Sequence, residues 1–122
     1  MKYLSLTVAA FAAAVLMPSF ASAGDQDFTL INKTGYEINE VFVSPHNASD
    51  WEEDILGQDT LDDSTSVKIH FSRDTDACNW DLKVVYSDDD SSAEWTNFDL
   101  CTISQISIFY NEKSDKTWAT WK

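Results

Sequence analysis

The sequence predicts a mostly β fold: a β-sandwich of seven or eight short antiparallel strands with one short helix. Three observations lead there. Runs such as Val67-Lys68-Ile69-His70-Phe71 and Trp80-Asp81-Leu82-Lys83-Val84 alternate apolar and polar residues, the period of a strand with one buried face. Turn-forming clusters, among them Asn32-Lys33-Thr34-Gly35 and Ser87-Asp88-Asp89-Asp90-Ser91-Ser92, separate these runs. Neither an internal repeat nor a linker divides the chain, so one-sided strands must cover one another.

Phe28-Thr29-Leu30-Ile31 reads as the first strand, and Asn32–Gly35 as the turn that sends the chain back. In the returning strand, Tyr36 and Ile38 fall out of parity with Val41 and Val43, which places a β-bulge near Asn39-Glu40. Ser49–Gly57 reads as the helix. Ser49 with Glu52, or Asp50 with Glu53, has capping-box spacing, and acids crowd the first turn. Gly57 ends it, with Trp51, Ile55 and Leu56 facing inward. Gln58–Ser66 is a polar loop anchored by Leu61. Strands follow at Val67–Phe71, Trp80–Tyr86, Ala93–Leu100 and Ile103–Tyr110, and a last short one at Thr117–Trp121.

The first residues have a different character. Met1-Lys2-Tyr3 is a short basic start, Leu4–Met17 is apolar, Pro18 breaks it, and Ala21-Ser22-Ala23 supplies small residues for cleavage. This is the grammar of a secretory signal peptide, residues 1–23, cut between Ala23 and Gly24. The apolar run falls short of the ~20 residues that span a bilayer. The expected product is one β-rich domain, residues 24–122, periplasmic or secreted, with no membrane insertion after cleavage.

Of 122 residues, 21 are acidic and 8 basic, for a net charge of −13; loss of Lys2 with the leader makes it −14. Such a charge repels nucleic acid and anionic membranes and favours cations or a basic protein partner. The two cysteines, Cys78 and Cys101, enter an oxidising compartment, where a pair in a small domain bridges. If Tyr86 opposes Ala93 across the Ser87–Ser92 turn, Cys78 lies directly opposite Cys101. That register turns Asn97 and Asp99 inward and Phe98 and Leu100 outward; a bulge would restore them but move the cysteines off register.

Catalysis is not expected. The histidines, His46 in a loop and His70 on the polar side of a strand, adjoin no nucleophile in sequence, and nucleophile-elbow, zinc-protease and phosphate-loop motifs are absent. Oxygen-rich loops suggest a hard cation, calcium or a lanthanide, which takes six to eight oxygen ligands. Asp88, Asp89 and Asp90 concentrate carboxylates in one turn. Asp59, Asp62 and Asp63 do so in another, beside Asp50, Glu53 and Asp54. Neither loop has the EF-hand pattern. The five tryptophans could offer stacking faces to a sugar, although most fit core positions.

The strings Asn32-Lys33-Thr34-Gly35-Tyr36, Val43-Ser44-Pro45, Asp50-Trp51 with Asp54-Ile55-Leu56-Gly57, Cys78 with Trp80–Tyr86, and Asp99-Leu100-Cys101 resemble a family of small secreted bacterial proteins of unknown function. Some members bear the name argininosuccinate lyase, which so short a domain without a lyase signature does not support. The resemblance implies a compact β-rich extracytoplasmic domain with its cysteines paired, and it brings no catalytic residue. The expectation is therefore an exported acidic binding domain using a hard cation, or alternatively an accessory protein docking a basic partner without metal.

Overall fold

A computed structural model describes residues 26–52, 54–71 and 76–122. The cleavage residues Ala23 and Gly24, the acid Glu53, and most of the loop after β3 lie outside them. The described residues form seven strands: β1 (Phe28–Lys33), β2 (Ile38–Pro45), β3 (Ser66–Ile69), β4 (Asn79–Tyr86), β5 (Ser92–Asp99), β6 (Gln105–Asn111) and β7 (Lys116–Trp121). They make a four-stranded sheet in the order β3-β1-β6-β7 and a three-stranded sheet in the order β2-β4-β5. Leu30, Ile38, Val41, Leu82, Val84, Ile106 and Ile108 are buried together between the sheets. Among the described residues no helix is long and apolar enough to cross a membrane.

The mostly β sandwich is as expected, and so is the bulge in β2, where the pairing with β4 shifts between Ile38 and Glu40. Leu61 is the anchor its loop needs: it is buried and bridges Ile38.

Four readings are corrected. The pairing is not wholly antiparallel, since β1 runs parallel to β6. Nor do Asn32–Gly35 join a hairpin, because β1 and β2 belong to different sheets. The cause is Asn32. Its buried amide donates to the carbonyls of Tyr36 (2.8 Å) and Leu61 (3.0 Å), and its Oδ1 accepts the Thr34 N–H (3.0 Å) and hydroxyl (2.6 Å). These bonds turn the chain from one sheet to the other. Gly35 permits the turn with φ at +89°, and its N–H donates to Asp63 Oδ1.

The described residues between Ser49 and Gly57 form no helix. They lie along the edge of β2: the Ser44 hydroxyl accepts the Glu52 N–H, Asp54 Oδ1 accepts the Val41 N–H (2.8 Å), and the Ile55 N–H donates to the Val41 carbonyl (2.8 Å). Pairing an exposed strand edge satisfies more backbone groups than two isolated helical turns would. Leu56 is buried, Trp51 half-buried, and Ile55 outward at 39 % exposed.

The β4–β5 register also differs. Val84, not Tyr86, opposes Ala93, and Trp95 opposes Leu82. A bulge between Trp95 and Phe98 brings both rings inward, with Asn97 at φ +67° and its N–H on Asp81 Oδ1. Leu100 is therefore buried, and its N–H donates to the Cys78 carbonyl. Although not directly opposite, Cys78 and Cys101 are bonded at a Cα–Cα distance of 5.2 Å, because the chain turns immediately after Leu100.

Candidate functional site: a tyrosine-floored acidic cleft

The β4–β5 turn, the β6–β7 turn and the β1–β2 corner meet at one end of the sandwich. In the first turn, the Tyr86 N–H donates to the Ser91 carbonyl and the Asp90 N–H to the Tyr86 carbonyl, with Asp90 at φ +61°. Aspartate tolerates that left-handed conformation better than most residues. Asp89 Oδ1 accepts the Ser91 hydroxyl (2.7 Å) and N–H (3.0 Å), which hold its carboxyl below the usual aspartate range. In the second turn, Asn111 Oδ1 accepts the N–H groups of Lys113 and Ser114.

Between the turns lies a cleft of about 400 Å³. Its aromatic lining is Tyr36, Tyr86 and Tyr110, its carboxylates are Asp88, Asp89, Glu112 and Asp115, and among the described residues no basic side chain lines it. Ring centroids lie 6.2 Å apart for Tyr36–Tyr86, 6.0 Å for Tyr36–Tyr110 and 6.4 Å for Tyr86–Tyr110. The interplanar angles of 72°, 62° and 44° make an angular corner rather than a stack.

The Tyr110 hydroxyl donates to Asp115 Oδ1 at 2.9 Å, and this bond leads in raising the Tyr110 pKa. The pKa of Tyr36 is raised too, first by its hydrogen bond to Glu112, then by burial, then by the negative field of Glu112, Asp88 and Asp89. Carboxylates from both turns therefore act on one phenol. Tyr86, which forms the floor, is only 9 % exposed; its hydroxyl has no hydrogen bond of ordinary geometry, and burial raises its pKa.

The other acids singled out in the sequence are placed elsewhere. Asp63 is spent on Gly35 and Ser64, and Asp54 on Val41 and Leu56. Asp59 and Asp62 line a separate hollow with Thr60 and Leu61. Glu37 faces that loop, its carboxyl held below the usual range first by the neighbouring Ser87 hydroxyl, with Thr60 also donating to it. Asp50 is exposed. Among the described residues, the one group of three His, Cys, Asp or Glu side chains with ligand atoms within 4.8 Å of one another is Cys78, Asp99 and Cys101, whose sulfurs form the disulfide.

Each histidine pairs with an aspartate: His46 Nδ1 with Asp81 Oδ1 at 2.8 Å, and His70 Nδ1 with Asp27 Oδ2 at 2.9 Å. The Asp81 oxygen also holds the Asn97 N–H, and Asp27 holds the Phe71 N–H, so both carboxylates also fasten backbone. Trp80 and Trp95 are core residues as expected, whereas Trp118 and Trp121 are 45 % and 58 % exposed.

Sequence reasoning found Asp88 and Asp89 but missed Tyr36, Tyr86, Tyr110, Glu112 and Asp115. The alternation of Trp80–Tyr86 and Ile106–Tyr110 marked two of these rings as inward-facing; that they meet Tyr36 depends on β1 and β6 being parallel neighbours. Comparison with protein-family models, curated proteins and solved structures finds no match.

Proposed function

We propose that this chain is an exported acidic binding module that docks a basic partner at the tyrosine-floored end of its sandwich. The observation that carries the reading is the convergence of Asp88, Asp89, Glu112 and Asp115 from two separate turns on a cleft with no basic lining residue among the described ones. A concave wall of one sign focuses its field and steers an oppositely charged group inward. Export follows from residues 1–23, read as a signal peptide, and the Cys78–Cys101 disulfide is compatible with an oxidising compartment. The resemblance to small secreted bacterial proteins agrees with that location.

The second reading, a calcium or lanthanide module, is favoured by Asp88 and Asp89 sharing the cleft with Glu112. One experiment separates the two. The disulfide-intact protein is titrated with poly-lysine at 10 and 150 mM salt, and its thermal unfolding is followed with calcium, magnesium and lanthanum. The basic-partner reading predicts capture that weakens steeply with salt, as the screening length falls from ~30 to ~8 Å. A saturating metal would instead add about 2.7 kcal/mol of stability at 100 times its Kd. No binding of poly-lysine at low salt contradicts the leading reading.

A further inference from the structure

We propose that the cleft accepts a single alkylammonium head group, of the kind a lysine side chain carries, against the faces of Tyr36, Tyr86 and Tyr110. This inference rests on the reading of the cleft as a cation site and names the cation. The rings supply the specific element. A cation within about 6 Å of a tyrosine centroid is attracted by the ring quadrupole, and here three rings stand within 6.4 Å of one another at open angles. All three rings line the cleft, and none stacks face to face on another.

The Tyr110 hydroxyl is spent on Asp115, which lines the cleft together with Glu112. Tyr86, nine-tenths buried at the floor, has a hydroxyl with no hydrogen bond of ordinary geometry. A hard metal ion fits this arrangement poorly. It needs six to eight oxygens at about 2.3–2.6 Å, and among the described residues of this cleft no three carboxylates bring oxygens within 4.8 Å of one another. A cleft of about 400 Å³ is also far larger than a bare ion and within the small-ligand range. An alkylammonium group tolerates carboxylates at a distance and gains from aromatic faces.

The probe is tetramethylammonium chloride, which donates no hydrogen bond and so reports the ring contribution, with sodium chloride at equal ionic strength as control. NMR of the disulfide-intact protein follows the Tyr36, Tyr86 and Tyr110 ring resonances. The expected result is a saturable shift with tetramethylammonium and none with sodium. Tyr36→Leu or Tyr110→Leu, neither of which alters the charge, should weaken it about five- to tenfold, and Tyr36→Phe should stay within about threefold of the parent. Equal responses to the two salts overturn the inference, independently of any variant; so does unchanged affinity in a folded leucine variant. If poly-lysine still binds in a salt-sensitive way while tetramethylammonium does not, the tyrosine cage fails and the acidic docking site stands. If neither binds, both fail.

Discussion

Asn32 is the polar residue that holds the corner between the two sheets. Its side chain makes four hydrogen bonds, one of them to Leu61, 29 residues away. A buried amide with both ends satisfied contributes modestly, but deleting it leaves the Thr34 N–H and nearby carbonyls short of partners in a dry site. Asn32→Leu should therefore cost about 2–4 kcal/mol in chemical denaturation; a loss under ~0.5 kcal/mol would show that the corner is held by something else. Asn32 with Gly35 three residues on was legible as a change of direction, because both residues tolerate turn conformations. It was not legible that the direction led to another sheet. The bond to Leu61 joins residues far apart in sequence, and no local pattern records it.

Among the elements, the segment beside β2 is the most informative error. Its acids fit a helix N-terminus, yet Asp54 satisfies a strand edge instead, since Val41 offers an N–H and a carbonyl that would otherwise face water. Local propensity for so short a helix is weak, and the tertiary alternative wins. Asp54→Ala should release the Val41 and Leu56 N–H groups, cost about 1–2 kcal/mol, and speed hydrogen exchange at Val41 well before global unfolding. Unchanged protection at Val41 would contradict this account. The β5 bulge teaches the same lesson from the other side. Trp95, Phe98 and Leu100 could not all turn inward in an unbroken strand, so the need for a bulge was readable. Its compatibility with the disulfide was not, because the turn after Leu100 brings Cys101 back to Cys78.

At the scale of the whole molecule, the strands were largely legible because period-two alternation is a local property, whereas the parallel β1–β6 contact and the cleft were not. The disulfide closes a sequence separation of 23 and ties the start of β4 to the turn after β5. In the chain-entropy account, its loss should cost about 3 kcal/mol; a Cys78→Ala/Cys101→Ala double variant with parental stability would contradict that value. The disulfide lies at the beginning of β4 and the cleft at its end, so the double variant should retain the cleft if it folds. A net charge of −13 could act as a diffuse solubilising coat, but the concentration of carboxylates around three packed tyrosines makes a local site the sharper explanation. The most direct test is a backbone NMR titration of the disulfide-intact protein with a short oligolysine, repeated on Asp88→Asn/Asp89→Asn and Glu112→Gln/Asp115→Asn variants. The account predicts shifts concentrated at the β4–β5 and β6–β7 turns and Tyr36, and at least a tenfold loss of affinity in either double variant. Shifts spread evenly over the acidic surface, including Asp59, Asp62 and Asp63, with affinity unchanged in both variants, would contradict it.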